Sequence, residues 1–154
     1  MAKKKLVFLG GTCGANMWRI SFIARLVARG VPAESLFNPV VEHWDAAAQA
    51  NEERVKTEAS HHLYFLATPS EAGDQLSAYS MVEATMALYD RPETTVVVFD
   101  HSGITAGHLL KAHKQTEAVL RARFPNANIF GSSQDAEDWL VKELKSKRWF
   151  GTAA

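Results

Sequence analysis

Long apolar runs, cysteine pairs and an excess of charge of one sign are all missing from this chain, and each absence removes a class of protein. The longest apolar stretches, such as Val96-Val97-Val98-Phe99, are far too short to cross a bilayer. Cys13 is the only cysteine, so no disulfide forms within the chain, which fits a reducing, cytoplasmic setting. Lysine and arginine number 17, as do aspartate and glutamate, leaving a formal charge of zero. That balance gives no general electrostatic grip on a nucleic acid polymer or an anionic membrane. Lys3-Lys4-Lys5 is a local exception and reads as a solvated tail ahead of a strand. The basic start leads into a short strand and a glycine turn, not into a secretory pattern. The histidines show no metal-ligand spacing: His61-His62 point to opposite faces of a strand, and His108 and His113 are poorly spaced on a helix.

What is present is a globular balance, 47% hydrophobic and 22% charged over 154 residues, enough to bury the core of one domain spanning 1–154. Four β-rich runs stand out: Leu6-Val7-Phe8-Leu9, Leu63-Tyr64-Phe65-Leu66, Thr94 to Phe99, and Asn128-Ile129-Phe130. Each is short and nearly continuous in apolar character, as expected of strands buried on both faces of a parallel sheet. Leu36-Phe37 supplies a fifth. Helical patterns alternate with them: Ile20, Ile23, Leu26 and Val27 share a face before Gly30, and residues 44–58 are rich in Ala, Glu and Gln. Leu109, His113, Thr116 and Leu120 repeat at helical spacing, and Ala136, Leu140 and Leu144 follow a serine cap at 132 or 133. The alternation predicts a flavodoxin-like, doubly wound, five-stranded parallel sheet in order 2-1-3-4-5 within a three-layer α/β/α architecture. Ligands of such sheets sit beyond the carboxyl ends of the strands, where the order reverses. Segments 10–14, 68–80 and 100–103 are therefore expected around one crevice.

The first loop, Gly10-Gly11-Thr12-Cys13-Gly14, lets backbone N–H groups approach an anion at a helix start, and it equally suits a tight βα turn. It matches neither a dinucleotide fingerprint nor a P-loop. Arg19 is placed to hold a phosphate or to pair with a carboxylate such as Asp45. Cys13 lacks a cysteine–histidine signature and reads as a small loop residue. Asn38-Pro39, followed by Trp44, offers an amide and a stacking face for a base or sugar; Asn-Pro is also an ordinary turn. His101, just after a strand, faces the crevice and reads as a loop histidine or a ligand contact. Glu83 has two readings. It is a helix-start carboxylate able to attack an anomeric carbon, or the partner of Ser80 in an S-x-x-E capping box.

Phe8-Leu9-Gly10-Gly11-Thr12, Trp18-Arg19, Phe37 to Val41, Trp44 and Ser80-Met81-Val82-Glu83 together resemble the nucleoside 2-deoxyribosyltransferase-like family, from about Leu6 to Asp100. The resemblance implies cleavage or transfer of the N-glycosidic bond of a (deoxy)nucleoside or nucleoside monophosphate. A helix-start glutamate, matched by Glu83, attacks the sugar and expels the base. Gly10, Gly11, Thr12, Arg19, Asn38, Trp44 and Ser80 would bind substrate. Better-known members carry an aspartate after the third strand, where Ala67-Thr68-Pro69-Ser70 stands here; Asp74, further along, is the available substitute. They also place a tyrosine in the first loop, which this chain does not. No metal or redox cofactor is implied, because carboxylate attack and base departure need none. A homodimer or larger homo-oligomer is expected, and Trp149-Phe150 is a candidate for its interface. The alternative is a non-catalytic nucleotide-binding or sensing module on the same fold.

Overall fold

Five short strands carry the architecture, and the computed structural model describes them within residues 5–13, 17–67 and 77–146. They are β1 (Val7–Gly11), β2 (Leu36–Phe37), β3 (His61–Leu66), β4 (Thr95–Phe99) and β5 (Asn128–Phe130). All neighbours pair in parallel, in the order β2-β1-β3-β4-β5. The helices between them are α1 (Trp18–Ala28), α2 (Ala46–Glu58), α3 (Ala78–Asp90), α4 (Gly107–Arg123) and α5 (Ser133–Lys145). The result is the flavodoxin-like three-layer fold that the alternation of patterns predicts.

Strand periodicity divides the core into two halves. Val7, Leu9, Leu63, Phe65, Val96 and Val98 pack against α1 and α5. Phe8, Tyr64, Leu66, Val97 and Phe99 face α2, α3 and α4. His61 and His62 obey the same alternation: His61 meets Trp139 of α5 edge-on, whereas His62 lies beside Phe8 and Tyr64 on the opposite face. No helix among the described residues is long and apolar enough to cross a membrane.

Local signals set most helix ends. Asp45 accepts from the Ala48 N–H to start α2, and Ser132 accepts from the Asp135 N–H to start α5. Gly30 follows α1 with φ of +87°, the left-handed backbone that glycine adopts without a Cβ clash. The buried face of α1 differs from the expected one. Trp18, Arg19, Phe22 and Leu26 turn inward, while Ile20 and Val27 are exposed. The reason is that Trp18 stacks on Phe65 with ring centroids 4.7 Å apart, and this contact sets the rotation of the helix. Lys5 departs from the expected solvated tail as well, since it donates to the carbonyls of Glu143 and Ser146 at the end of α5. Lys3, Lys4, Trp149 and Phe150 lie outside the described residues.

Candidate active site at the carboxyl end of β1

The sheet order reverses between β1 and β3, the place where an open parallel sheet of this kind offers a crevice. A cavity of about 340 Å³ lies there. That falls at the lower end of the range for small-molecule sites, roughly 300–1,000 Å³. Its walls come from the end of β1, the β2–α2 connection, one side of α2 and the first two turns of α3.

The two glycines at the end of β1 are there because of close packing. A Cβ on Gly10 would stand 2.6 Å from the Tyr64 ring, and one on Gly11, whose φ is +119°, would run into the Phe65 backbone. Both glycines line the cavity. Thr12, also in the predicted set, does not reach it. Its hydroxyl donates to the Ala67 carbonyl at 2.8 Å and accepts from the Ala67 N–H, tying the ends of β1 and β3 together.

Arg19 is neither paired with Asp45 nor open to solvent. It is 3% exposed, and its Nε, Nη1 and Nη2 donate to the carbonyls of Leu9, Thr12 and Gly11. Asp45 is occupied in capping α2. Trp18 Nε1 donates to the same Thr12 carbonyl. Arg19 therefore holds the β1–α1 turn in shape from behind while forming part of the cavity floor. Asn38 makes the Asx turn that its sequence context allows, with Oδ1 accepting from the Val40 N–H. Its neighbours Pro39, Val40 and Val41 line the cavity, and Trp44 closes one side with an exposed ring.

Glu83 lines the cavity, as do Ser80 and Tyr79. The capping box, one of the two readings of Glu83, is not formed, because α3 begins earlier than the S-x-x-E spacing suggests. Ser77 is the cap: its Oγ accepts from the Ser80 N–H, and it donates to Ser80 Oγ at 2.8 Å. Glu83 thus lies in the second turn of α3, one turn past its expected place, and points across to α2. There Lys56 Nζ sits 2.5 Å from Glu83 Oε1, 2.7 Å from Glu52 and 3.2 Å from Glu53. Among the described residues no donor reaches Glu83 Oε2. Burial opposes the Lys56 charge, but the hydrogen bonds that it donates to Glu52 and Glu83 outweigh it and push the ammonium above its ordinary range. The Phe8 and Tyr79 rings lie 5.4 and 5.6 Å from Nζ.

Lys56 and its glutamates were not legible as site residues. On sequence they are i,i+3 and i,i+4 pairs on a polar helix, the usual mark of a solvated face. A weak signal was available: α2 has a nearly uniform polar surface, yet one side must pack on the sheet. Behind Lys56, in an outer groove between α2 and α3, His62 contacts the Lys56 carbonyl, the Tyr64 hydroxyl and Arg91. Burial, then the Arg91 charge, pushes its pKa down to about 4.

The loop after β4 does not join the cavity, although it was expected to. β4 lies beyond β3 in the sheet, and Asp100 Oδ1 is taken by the Ser102 N–H. His101 is a satisfied loop histidine, with Nε2 donating to Glu117 at 2.6 Å and Nδ1 2.9 Å from Nδ1 of His113. Cys13 is exposed at the cavity rim. Asp74 lies outside the described residues. Among the described residues no group of three or more His, Cys, Asp or Glu side chains is arranged to hold a metal ion. Comparison with family models, curated proteins and solved structures finds no match.

Proposed function

We propose that the chain is a nucleoside 2-deoxyribosyltransferase-like enzyme that cleaves or transfers the N-glycosidic bond of a (deoxy)nucleoside or nucleoside monophosphate, with Glu83 as nucleophile. The observation that carries this reading is the place of Glu83: a carboxylate anchored at one oxygen, in a cavity with aromatic walls, at the switch point of the sheet. Lys56 holds Oε1, which leaves Oε2 to form the bond to the anomeric carbon. As that bond forms, the C–N bond breaks and its electron pair leaves with the base, which takes up a proton. Water or a second base then attacks the same carbon, the glycosyl–glutamate bond breaks, and the carboxylate is restored. Trp44 and Tyr79 offer faces for the base, and Gly10 and Gly11 allow close approach of the sugar. Ser80 lies beside the nucleophile, one helical turn before it.

The same proposal includes a cytoplasmic setting, which the single cysteine supports, and assembly into a homodimer or larger homo-oligomer. The latter is supported by Tyr79, Val82, Met86 and Tyr89, a stripe of exposed apolar side chains at helical spacing on α3. One observation favours a second reading, a non-catalytic nucleotide-binding module: a carboxylate locked in a 2.5 Å ion pair is also a sound structural element.

Incubation with a panel of nucleosides and 5′-monophosphates, with and without an acceptor base, separates the two. Chromatographic release or exchange of free base that disappears in Glu83→Ala is the expected result. A wild type as inert as the variant, but stabilised against heat by a nucleotide, would establish the binding module instead.

A further inference from the structure

We infer that Glu52 is the acid–base catalyst that works with Glu83, giving a proton to the departing base and taking one from the group that replaces it. The inference rests on the glycosidic reading above and adds a second catalytic residue to it. Double displacement at a sugar carbon uses two carboxyl groups, one as nucleophile and one to move the proton. They stand roughly 5–5.5 Å apart, which leaves no room for a water between nucleophile and sugar. One ammonium sets that spacing here. Lys56 Nζ lies 2.5 Å from Glu83 Oε1 and 2.7 Å from Glu52 Oε1, so the two oxygens are no more than about 5 Å apart.

Both carboxylates line the cavity, Glu52 from α2 and Glu83 from α3, whereas Lys56 lines the outer groove and backs the pair from behind. The other ionisable groups that line the cavity among the described residues suit the task less. Cys13 and Tyr79 are exposed at the rim, and the Glu53 side chain is 61% exposed. The Glu52 and Glu83 side chains are sheltered, at 14% and 15%. Arg19 keeps its protons, and Lys56, held charged by its glutamates, keeps its own. Trp44, one of the faces for the base, directly precedes the cap of α2, and Gln49 and Glu52 follow on the side of that helix that lines the cavity. Glu52 therefore belongs to the wall that receives the base, while the nucleophile stands on the neighbouring helix.

In the first step Glu83 Oε2 bonds to the anomeric carbon, the C–N electron pair leaves with the base, and the Glu52 carboxyl passes its proton to that base. In the second, the Glu52 carboxylate takes a proton from water or from an incoming base as the new bond to the carbon forms. The electrons of the glycosyl ester bond return to Glu83, and both carboxyl groups stand as they began.

Leaving groups that need no proton test this. 2′-Deoxyguanosine is paired with 7-methyl-2′-deoxyguanosine, whose base departs neutral, and 2′-deoxyuridine with 5-nitro-2′-deoxyuridine, whose base departs as a stabilised anion. First-turnover base release is followed by rapid quench. Glu52→Gln, whose amide still accepts from Lys56, should slow the unmodified member of a cleaved pair at least about a hundredfold and its modified partner less than about threefold. Azide, a nucleophile with no proton to lose, should then restore turnover of the variant on the modified substrate and yield the glycosyl azide. Glu52→Asp, which keeps the carboxyl, should recover part of the rate lost on the unmodified one. Equal slowing of both members, or of neither, would overturn the role of Glu52 while leaving the glycosidic reading intact. Because the two members are compared within one protein, incomplete folding of a variant cancels from the ratio. Wild-type protein that releases base from none of the four, offered as deoxynucleosides or as their 5′-monophosphates, would overturn both readings.

Discussion

Two clusters of titratable side chains sit on the same face of the sheet, toward its carboxyl edge, and the cavity at the end of β1 adjoins one of them. Around Glu83, the side chains of α2 and α3 meet across a cavity of about 340 Å³, and the carboxylate keeps one oxygen without a protein partner among the described residues. Around His113, in contrast, the groups close on one another. His101 spans Glu117 and His113, Arg121 holds the other oxygen of Glu117, and the Phe99 ring packs edge-on against His113. His113 is fully buried, and none of the three lines the cavity. Both clusters combine carboxylates with nitrogen bases, so residue type does not tell them apart. Space does. At the switch point the cavity adjoins Glu83, while beyond β4 the side chains of His101, Glu117 and His113 are held by one another.

The largest effect that would sharpen this contrast is on rate. Glu83→Gln should lower base release by at least about a thousandfold, because an amide is a poor nucleophile although it still reaches Lys56. Glu117→Ala should leave base release within about twofold and lower the melting temperature. A Glu117 variant that loses base release with its fold intact would break the comparison. Next comes His113→Ala, which should cost about 2–4 kcal/mol in urea unfolding, since it empties a buried, hydrogen-bonded position.

Acid should destabilise the fold through its buried histidines. Burial holds the pKa of His113 down, and burial with the Arg91 charge holds His62 down to about 4. As pH falls below the ordinary histidine value, the unfolded chain takes up protons that the folded chain refuses. Stability is therefore fully present at neutral pH and is lost as pH drops from about 6.5 toward 4. From His62 alone the loss between pH 7 and pH 5 is about 2 kcal/mol by urea unfolding, and His62→Gln should flatten that slope. Burial opposes the Glu117 charge, but the hydrogen bonds from His101 and Arg121 prevail, so its pKa is lowered. Its contribution is present above the ordinary glutamate value and disappears as pH falls through the folded one. The smallest effect concerns where the site-bearing helix starts. Ser77→Ala should destabilise by about 1 kcal/mol and Ser80→Ala by less; the reverse ranking would restore the capping box at Ser80.

The elements were legible where a short-range signal marks them. β-rich apolar runs announced every strand, with ends shifted by a residue or two, and Asp45 and Ser132 mark helix starts through bonds that span three residues. The start of α3 was misplaced for the same physical reason: Ser77 and Ser80 carry the same hydroxyl, and nothing local says which one leaves the helix. The site was legible only in part. Gly10, Gly11, Arg19, Trp44, Ser80 and Glu83 do meet at the cavity, whereas Thr12 and Asn38 satisfy nearby backbone instead.

By itself, then, the sequence determined the order of strands and helices and the parallel, doubly wound sheet they build, because periodicity and turn chemistry act over a few residues. Tertiary structure alone decided the partners of the charged groups. Lys56 and Glu83 are joined only when α2 and α3 pack side by side, and Arg19 finds its three carbonyls only once α1 folds back along β1. His101 and His113 likewise meet only when α4 lies across the end of β4. A side chain's hydrogen-bonding chemistry is written in its identity, but burial and distance determine which group receives it, and those arise only when the layers close.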